Sequence, residues 1–306
     1  MFDIVLASHN GERFLKEQLD SIFLDKNLPY INCVIIIDDA SSDNTLNIIH
    51  DFQKQTNRIQ LHSLTGTPIG PASAFNYGLQ KTNSDWIMLC DQDDIWHSEK
   101  ILNTVKYIDK KRLKCQQNHL IFSDVLLVDS TGQQLNKTYS RFKEIPEHWY
   151  SRFENLLQQN VVSGCATTVS KALLRAALPI PDEAYMHDWW IVLFASAFGE
   201  IHKLDREYVY YRQHEKNTIG ARKRLGLKAI LNFFSEWTRF KNSVEKIIAQ
   251  AAKFKTSTNY NNGLLEALIN IPNENYYKRL LMVSNYKLRR STKLASFIYL
   301  LVLMNL

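Results

Sequence analysis

Two rhythms of apolar and polar residues take turns over the first 130 residues. Short aliphatic or β-branched runs, "DIVLAS", "INCVIIIDD", "RIQLHSL", "DWIMLCD" and "HLIFSDVLLVD", read as strands. The run "INCVIIIDD" lacks polar alternation, the pattern of a strand covered on both faces. Between these runs apolar residues recur three and four apart. In "GERFLKEQLDSIFL", Phe14, Leu15, Leu19, Ile22 and Phe23 share one helical face. "SSDNTLNIIHDFQ" opens on capping residues. "GTPIGPASAFNYGLQKT" opens on a Gly/Pro turn, and "HSEKILNTVKYIDKK" continues the series. Strands alternating with helices predict an α/β domain with a mostly parallel sheet. Ligands on such sheets bind beyond the carboxyl ends of the strands. Three polar clusters fall there: Ser8, Asp38–Asp39 and Asp91–Asp94.

The alternation stops near residue 130. Residues 131–220 are less regular, with "VVSGCATTVS", "HDWWIVLFASAFGEI" and "REYVYYRQHEKNTIG" as their ordered stretches. Residues 221–306 read as helices with a polar break at "TSTNYNNG". The expected organisation is therefore 1–130, 131–220 and a helical extension, 221–306.

Composition changes this picture little. Apolar residues at 45% and charged residues at 22% exclude a mainly disordered chain. Cys33, Cys90, Cys115 and Cys165 lie far apart without a CxxC, against a zinc cluster or redox dithiol. Their use fits a reducing cytoplasm, and "MFDIVLASHN" reads as a first strand, not as a signal peptide. Charge adds more. The net charge of +6 is concentrated partly in "ARKRLGLK" and "YKLRR". That suits an anionic membrane surface, nucleic acid or a solvated helix face. The tail places Lys287, Arg289, Arg290 and Lys293 before the apolar run from Leu294 to Leu306. The run is shorter than the roughly 20 residues that cross a bilayer. It predicts an in-plane anchor on the membrane, against packing on the chain's own core or in a dimer contact.

The densest chemistry is "LCDQDDIW". Asp91 and Asp93 are two apart, so on a strand they face one way. Carboxylates so placed suit a hard divalent cation such as Mg²⁺ or Mn²⁺; the plainer reading is an acidic cap for the helix near Ser98. At "IIIDDASSDNT" the strand-end acids accept a nucleobase imide or, in a rival reading, a phosphoryl group as in receiver domains. That rival needs a later strand-end lysine and a much shorter chain. In "MHDWW" a carboxylate, Asp188, lies beside two indoles, where partial desolvation raises a pKa towards that of a general base. A helix cap beside core tryptophans is the alternative. "YRQH" offers His214 as a nitrogen ligand, with Arg212 nearby.

Taken in order over residues 2–220, "IVLASHNGERFLKEQLDSI", "VIIIDDASSDNT", "GPASAFNYGL", "WIMLCDQDDIWHSEKI", "SGCATTVSKALL", "HDWWIVLFASAFGEI" and "YRQHEKNTIG" resemble the family 2 glycosyltransferases. The set "CDQDDIW", "HDWW" and "YRQH" is similar to the bacterial rhamnosyltransferase-like branch of surface polysaccharide assembly. The resemblance implies a GT-A fold, with a Rossmann-like mixed sheet flanked by helices. It implies Asp39 on the base of a nucleotide, Asp91 near the ribose, and Ser8 and His9 beside the donor. Asp93 becomes the metal ligand of a DxD motif, assisted by Asp94 and His214, and Asp188 the catalytic base. Trp96, Gly164, Cys165, His187, Trp189 and Arg212 are expected near the sugar or the acceptor. "SHN" departs from the Tyr-Asn of many members, so His9 stands where an aromatic flanks the base. The implied reaction is inverting transfer from a nucleotide-diphosphate sugar, dTDP-rhamnose first, to a saccharide or lipid-linked saccharide. UDP-linked galactose, glucose or N-acetylhexosamine are alternatives. An inactive nucleotide-sugar binder and a nucleotidyltransferase are the readings of another class. The implied partners exclude nucleic acid, the implied location is the cytoplasm or its membrane face, and the oligomeric state stays open.

Overall fold

The structure is a computed structural model. It describes the backbone of residues 1–215 and 233–306, and the side chains of 1–215 and 237–306. The basic stretch "ARKRLGLK" and the end of "YRQHEKNTIG" lie outside the described residues. The chain forms two compact units. The first comprises Met1–Arg141, Val162–Ile180 and residues from Met186 to 215; the second comprises Phe142–Val161, Pro181–Tyr185 and residues 233–306.

In the first unit β1 (Phe2–Ser8), α1 (Leu15–Ile22), β2 (Ile31–Asp39), α2 (Thr45–Gln55), β3 (Ile59–Leu64), α3 (Pro71–Leu79) and β4 (Trp86–Asp91) alternate as the apolar pattern predicts. After β5 (Ile95–Trp96) and α4 (Lys100–Lys111) come β6 (His119–Phe122), β7 (Leu126–Val128), β8 (Gln134–Thr138) and a single turn, α5 (Tyr139–Phe142). The later elements of this unit are β9 (Thr167–Ser170), α7 (Lys171–Ala177), α8 (His187–Phe198), β10 (Glu200–Lys203) and β11 (Val209–Arg212); α6 (Phe153–Gln158) belongs to the second unit. The main sheet runs β10-β6-β9-β4-β1-β2-β3 and a smaller one runs β5-β11-β7-β8. The main sheet is mixed, because β9 pairs antiparallel with both β4 and β6. Its core is the apolar run of β2: Val34, Ile35, Ile36 and Ile37 are at most 1% exposed. Full burial of such a side chain contributes about 1.5–3 kcal/mol. Helix α3 lies flush on the sheet because Gly78 has no Cβ; one built there would meet Val5 Cγ1 at 2.7 Å.

One expected strand is two. "HLIFSDVLLVD" divides into β6 in the main sheet and β7 in the smaller one. Asp124 sits at the break, and its Oδ1 accepts from the Val125 and Ser140 N–H groups. Its other oxygen accepts from the Ser140 hydroxyl. A carboxylate bonded to local backbone turns the chain where apolarity alone would continue it.

The register aligns the carboxyl ends of three parallel strands. Ser8 of β1 lies opposite Asp38 of β2, and Ala7 opposite Asp91 of β4. The three polar clusters therefore share one edge of the sheet.

The second unit is helical: α6, α9 (Phe233–Thr258), α10 (Gly263–Asn270), α11 (Tyr276–Asn285) and α12 (Lys293–Met304). Val244, Ile247, Ala251, Phe254, Leu265 and Leu268 form its interior. Asn262, Asn275 and Thr292 cap α10, α11 and α12 through their side chains. Among the described residues no helix is long and apolar enough to cross a membrane.

Candidate active site

The acids of "CDQDD" do not cap α4. That helix starts at Lys100, with Glu99 before it and no side-chain cap bond. Instead the residues after β4 turn back into β5, and the end of β11 comes up against them. Asp93 Oδ2 lies 2.7 Å from His214 Nε2. Asp94 is fully buried and its Oδ1 accepts from the Arg212 N–H at 3.1 Å. The Arg212 guanidinium reaches three acceptors: the Asp93 carbonyl at 2.9 Å, the Ser130 carbonyl at 3.2 Å and Glu17 Oε2 at 2.6 Å. Its planar fork fits this set, and it stacks 4.7 Å from the Phe14 ring. The His214 ring packs on the same phenyl, 4.9 Å between centroids. Arg212 thus fixes the backbone of the acidic turn, and His214 addresses the part-buried carboxylate of Asp93.

Like charges accumulate at this edge. Burial, then Asp93, then Asp188, push Asp91 up to about 8. Burial, then Asp93, then Asp91, raise Asp94 well above the carboxylate range. Ligand atoms of Asp91, Asp94 and Cys165 all lie within 4.8 Å of one another. Such carboxylates stay ionised together only beside positive charge. That group includes a thiol and neither Asp93 nor His214; the Asp93–His214 pair beside it offers one carboxylate and one imidazole, donors that suit Mn²⁺ or Mg²⁺.

Asp188 enters from α8. It occupies the first turn of the helix, whose neighbouring side chains are anchored inward. His187 is buried, stacked 3.8 Å from the Phe75 ring and pushed down to about 3 by burial, so it stays neutral. Trp190 is buried and donates from Nε1 to the Ala177 carbonyl at 2.8 Å; Trp189 is buried beside it. Asp188 itself is only half-buried. Its charge reaches Asp91 and also Tyr139, whose hydroxyl burial and Asp188 push up to about 12. Gly164 makes the room: a Cβ there would lie 3.0 Å from Asp188 Cβ and 3.2 Å from its Oδ2. Cys165 and Trp96 are buried in the same unit, Trp96 with its backbone N–H on Ser21 Oγ and Lys100 Nζ over its ring.

The end of β1 is tied to the acidic turn by Gln92. Its Oε1 accepts from the Ser8 hydroxyl at 2.8 Å and the His9 N–H at 3.0 Å, and its Nε2 donates to the His9 carbonyl. A Cβ on Gly11 would come 2.3 Å from that Oε1. His9 Nδ1 lies 2.6 Å from the Asp39 carbonyl. The Asp39 carboxylate accepts from the Ile69 and Gly70 N–H groups, both at 2.8 Å, and so holds the loop before α3. An ionised carboxylate offers about four acceptor positions, and these two bonds take half of them.

Gln92, Gly11, Glu17, Phe14 and Tyr139 are parts of this edge that the sequence reading passes over. Gln92 reads as a spacer between two aspartates, and Phe14 as one more residue of an apolar helix face. Its place between an arginine and a histidine emerges only in three dimensions.

The family model of Glycosyl transferase family 2 matches residues 3–175. The chain belongs to that family. This glycosyltransferase is 28% identical to the dTDP-rhamnosyl transferase RfbG of Shigella flexneri, over 98% of its own length and 100% of that protein. It is 26% identical to the poly(ribitol-phosphate) β-N-acetylglucosaminyltransferase TarS of Staphylococcus aureus, over 43% of its length and 21% of TarS. Two solved structures show the fold. Residues 1–349 of S. aureus TarS in complex with UDP-GlcNAc superpose with a TM-score of 0.56 at 18% identity, covering 82% of this chain and 66% of that one. The mannosyltransferase PcManGT of Pyrobaculum calidifontis, in complex with GDP-Man and Mn²⁺, gives 0.53 at 13% identity, covering 99% and 85%. The family 2 glycosyltransferase has a GT-A fold with C-terminal helices, as its motifs imply.

Proposed function

We propose that the chain is an inverting sugar transferase whose donor is dTDP-rhamnose and whose acceptor is a hydroxyl of a saccharide or lipid-linked saccharide in cell-surface polysaccharide synthesis. The observation that carries the reading is the meeting of Asp91, Asp93 and Asp94 with Asp188 at one sheet edge, with His214 on Asp93. The full-length similarity to a dTDP-rhamnosyl transferase supports the choice of donor.

In this reading Asp39 receives the imide of the base on its remaining acceptor positions, Ser8 and His9 flank it, and Asp91 lies near the ribose. Asp93, with Asp94 and His214, holds a divalent cation, Mn²⁺ or Mg²⁺. When bound, that ion supplies positive charge for the diphosphate leaving group. Asp188 takes the proton from the acceptor hydroxyl as its oxygen bonds to the anomeric carbon and the bond from that carbon to the diphosphate breaks. Inversion follows from this one displacement, with no covalent enzyme intermediate. Gly164 keeps the Asp188 carboxylate in place. Arg212 acts as a positioning residue for the acidic turn. The work is assigned to the cytoplasm, with the tail in peripheral contact with the membrane.

A UDP-linked hexose or N-acetylhexosamine is the second reading of the donor, favoured by the fold shared with TarS in complex with UDP-GlcNAc. The deciding experiment is a thermal-shift screen of nucleotide sugars with Mn²⁺, since a ligand of the native state alone raises the melting temperature. It is followed by product analysis with the donor that binds. Release of nucleoside diphosphate upholds a transferase; pyrophosphate points to a nucleotidyltransferase. Binding without turnover on any saccharide acceptor points to an inactive binder.

A further inference from the structure

The helical unit holds a groove of about 790 Å³, walled by residues 146–155 and by the start of α12. Its charge is one-sided. Arg152, Arg289, Arg290 and Lys293 line it, against the carboxylate of Glu147. Arg152 also lies 3.6 Å from Glu154. Arg289 sits 5.5 Å from the Trp149 ring centre and Arg290 4.7 Å from that of Tyr299. The Nε of Arg290 is buried with no hydrogen-bond partner among the described residues. A buried guanidinium N–H lacking an acceptor is costly, and an anionic oxygen relieves it better than any neutral group. The same groove receives the amino end of α12, where backbone N–H groups favour negative charge.

Phe297 and Leu300 give the groove an apolar side. On α12, Leu294, Phe297 and Leu301 fall at i, i+3 and i+7, one stripe, and are 65%, 60% and 39% exposed. Tyr299, Val302 and Leu303 of the same helix are at most 1% exposed. α12 is therefore apolar on two sides and buries only one of them among the described residues. α11 leaves Tyr276, Tyr277, Leu280 and Leu281 exposed as well. Arg279 ties α11 to the end of α12 by donating to the Met304 carbonyl. Cations set beside an exposed apolar stripe, on a helix too short to span, are the features of an element lying in a membrane interface.

We propose that this groove seats the phosphate headgroup of an anionic lipid while the Leu294–Phe297–Leu301 stripe enters the acyl boundary of the same leaflet. The inference rests on the reading that the chain meets a membrane face, and adds the surface and the ligand chemistry. The experiment is vesicle flotation of the full chain at low salt, with phosphatidylcholine alone and with phosphatidylglycerol added. Flotation is expected only with phosphatidylglycerol. The Arg289→Ala/Lys293→Ala pair should lower it about fivefold per cation removed. Phe297→Ser, at a position more than half exposed, should lower it without unfolding the unit. Inorganic phosphate should release no more protein than chloride at equal ionic strength. Equal flotation with both vesicles, flotation with neither, variants that float like the parent, or release specific to inorganic phosphate would each overturn the proposal, the last in favour of a soluble phosphate. The nucleotide-sugar thermal shift of the parent chain is read separately, so failure of the donor reading is seen apart from failure of this one.

Discussion

Two arginines separate the two units in kind. Arg212 is fully enclosed, and all three of its guanidinium nitrogens meet protein acceptors. Arg290 is also drawn in, but its Nε has no acceptor among the described residues, and burial lowers its pKa. The first is spent on structure: it bonds Glu17, Ser130 and the acidic turn into one body. The second holds unused donor capacity beside a groove. A satisfied cation marks scaffold, and a buried unsatisfied donor calls for a separate explanation. The carboxylates divide in the opposite way. At the sheet edge the excess is negative, in the groove positive.

The sharpest test of the edge is Asp188→Asn. Turnover should fall by about two to four orders of magnitude, the scale of a lost general base, with donor binding kept. Kinetics and donor titration on one preparation would separate the effects, and near-normal turnover would reduce Asp188 to a helix-end residue. Gly164→Ala comes next. Its Cβ must displace Asp188 by a few tenths of an ångström or more, and turnover should fall up to about a hundredfold with smaller change in donor affinity. The arginine comparison itself is tested by urea unfolding. Arg212→Met should cost about 2–3 kcal/mol, because it strands the carbonyls of Asp93 and Ser130, while the exposed Glu17 returns to water. Arg290→Met should cost under about 1 kcal/mol, because little bonding is lost. Equal losses would erase the distinction. Asp93→Asn tests the edge from the metal side: it should weaken Mn²⁺-dependent nucleoside diphosphate binding about tenfold while circular dichroism stays unchanged.

Legibility follows the range of the interactions. β1 to β4 and their helices are written in local periodicity, so the α/β order of the first unit was readable. So was the shared edge, because register in a parallel sheet brings strand ends together. The break of "HLIFSDVLLVD" was not, since it depends on what the Asp124 oxygens bond. The bond from Arg212 to Glu17 spans 195 residues of sequence, and nothing near either residue announces it. Gln92 looked like a spacer because its amide serves neither charge nor apolar pattern. The groove was half visible: "YKLRR" declared its cations at one wall, while Arg152 and Trp149 arrive from a stretch with no motif.

The two-sided apolar character of α12 also bears on how the chain can be handled. Clipping the tail to gain solubility would remove Tyr299, Val302 and Leu303, and open a hole in the interior of the helical unit. Large apolar side chains lost from an interior cost about 2–5 kcal/mol each, so a shortened chain trades surface stickiness for misfolding. Repainting is the better route: polar residues at Leu294, Phe297 and Leu301 leave the inner side untouched and remove the outer one. A preparation made that way should stay folded in water, and under the proposal above it should also lose its hold on vesicles.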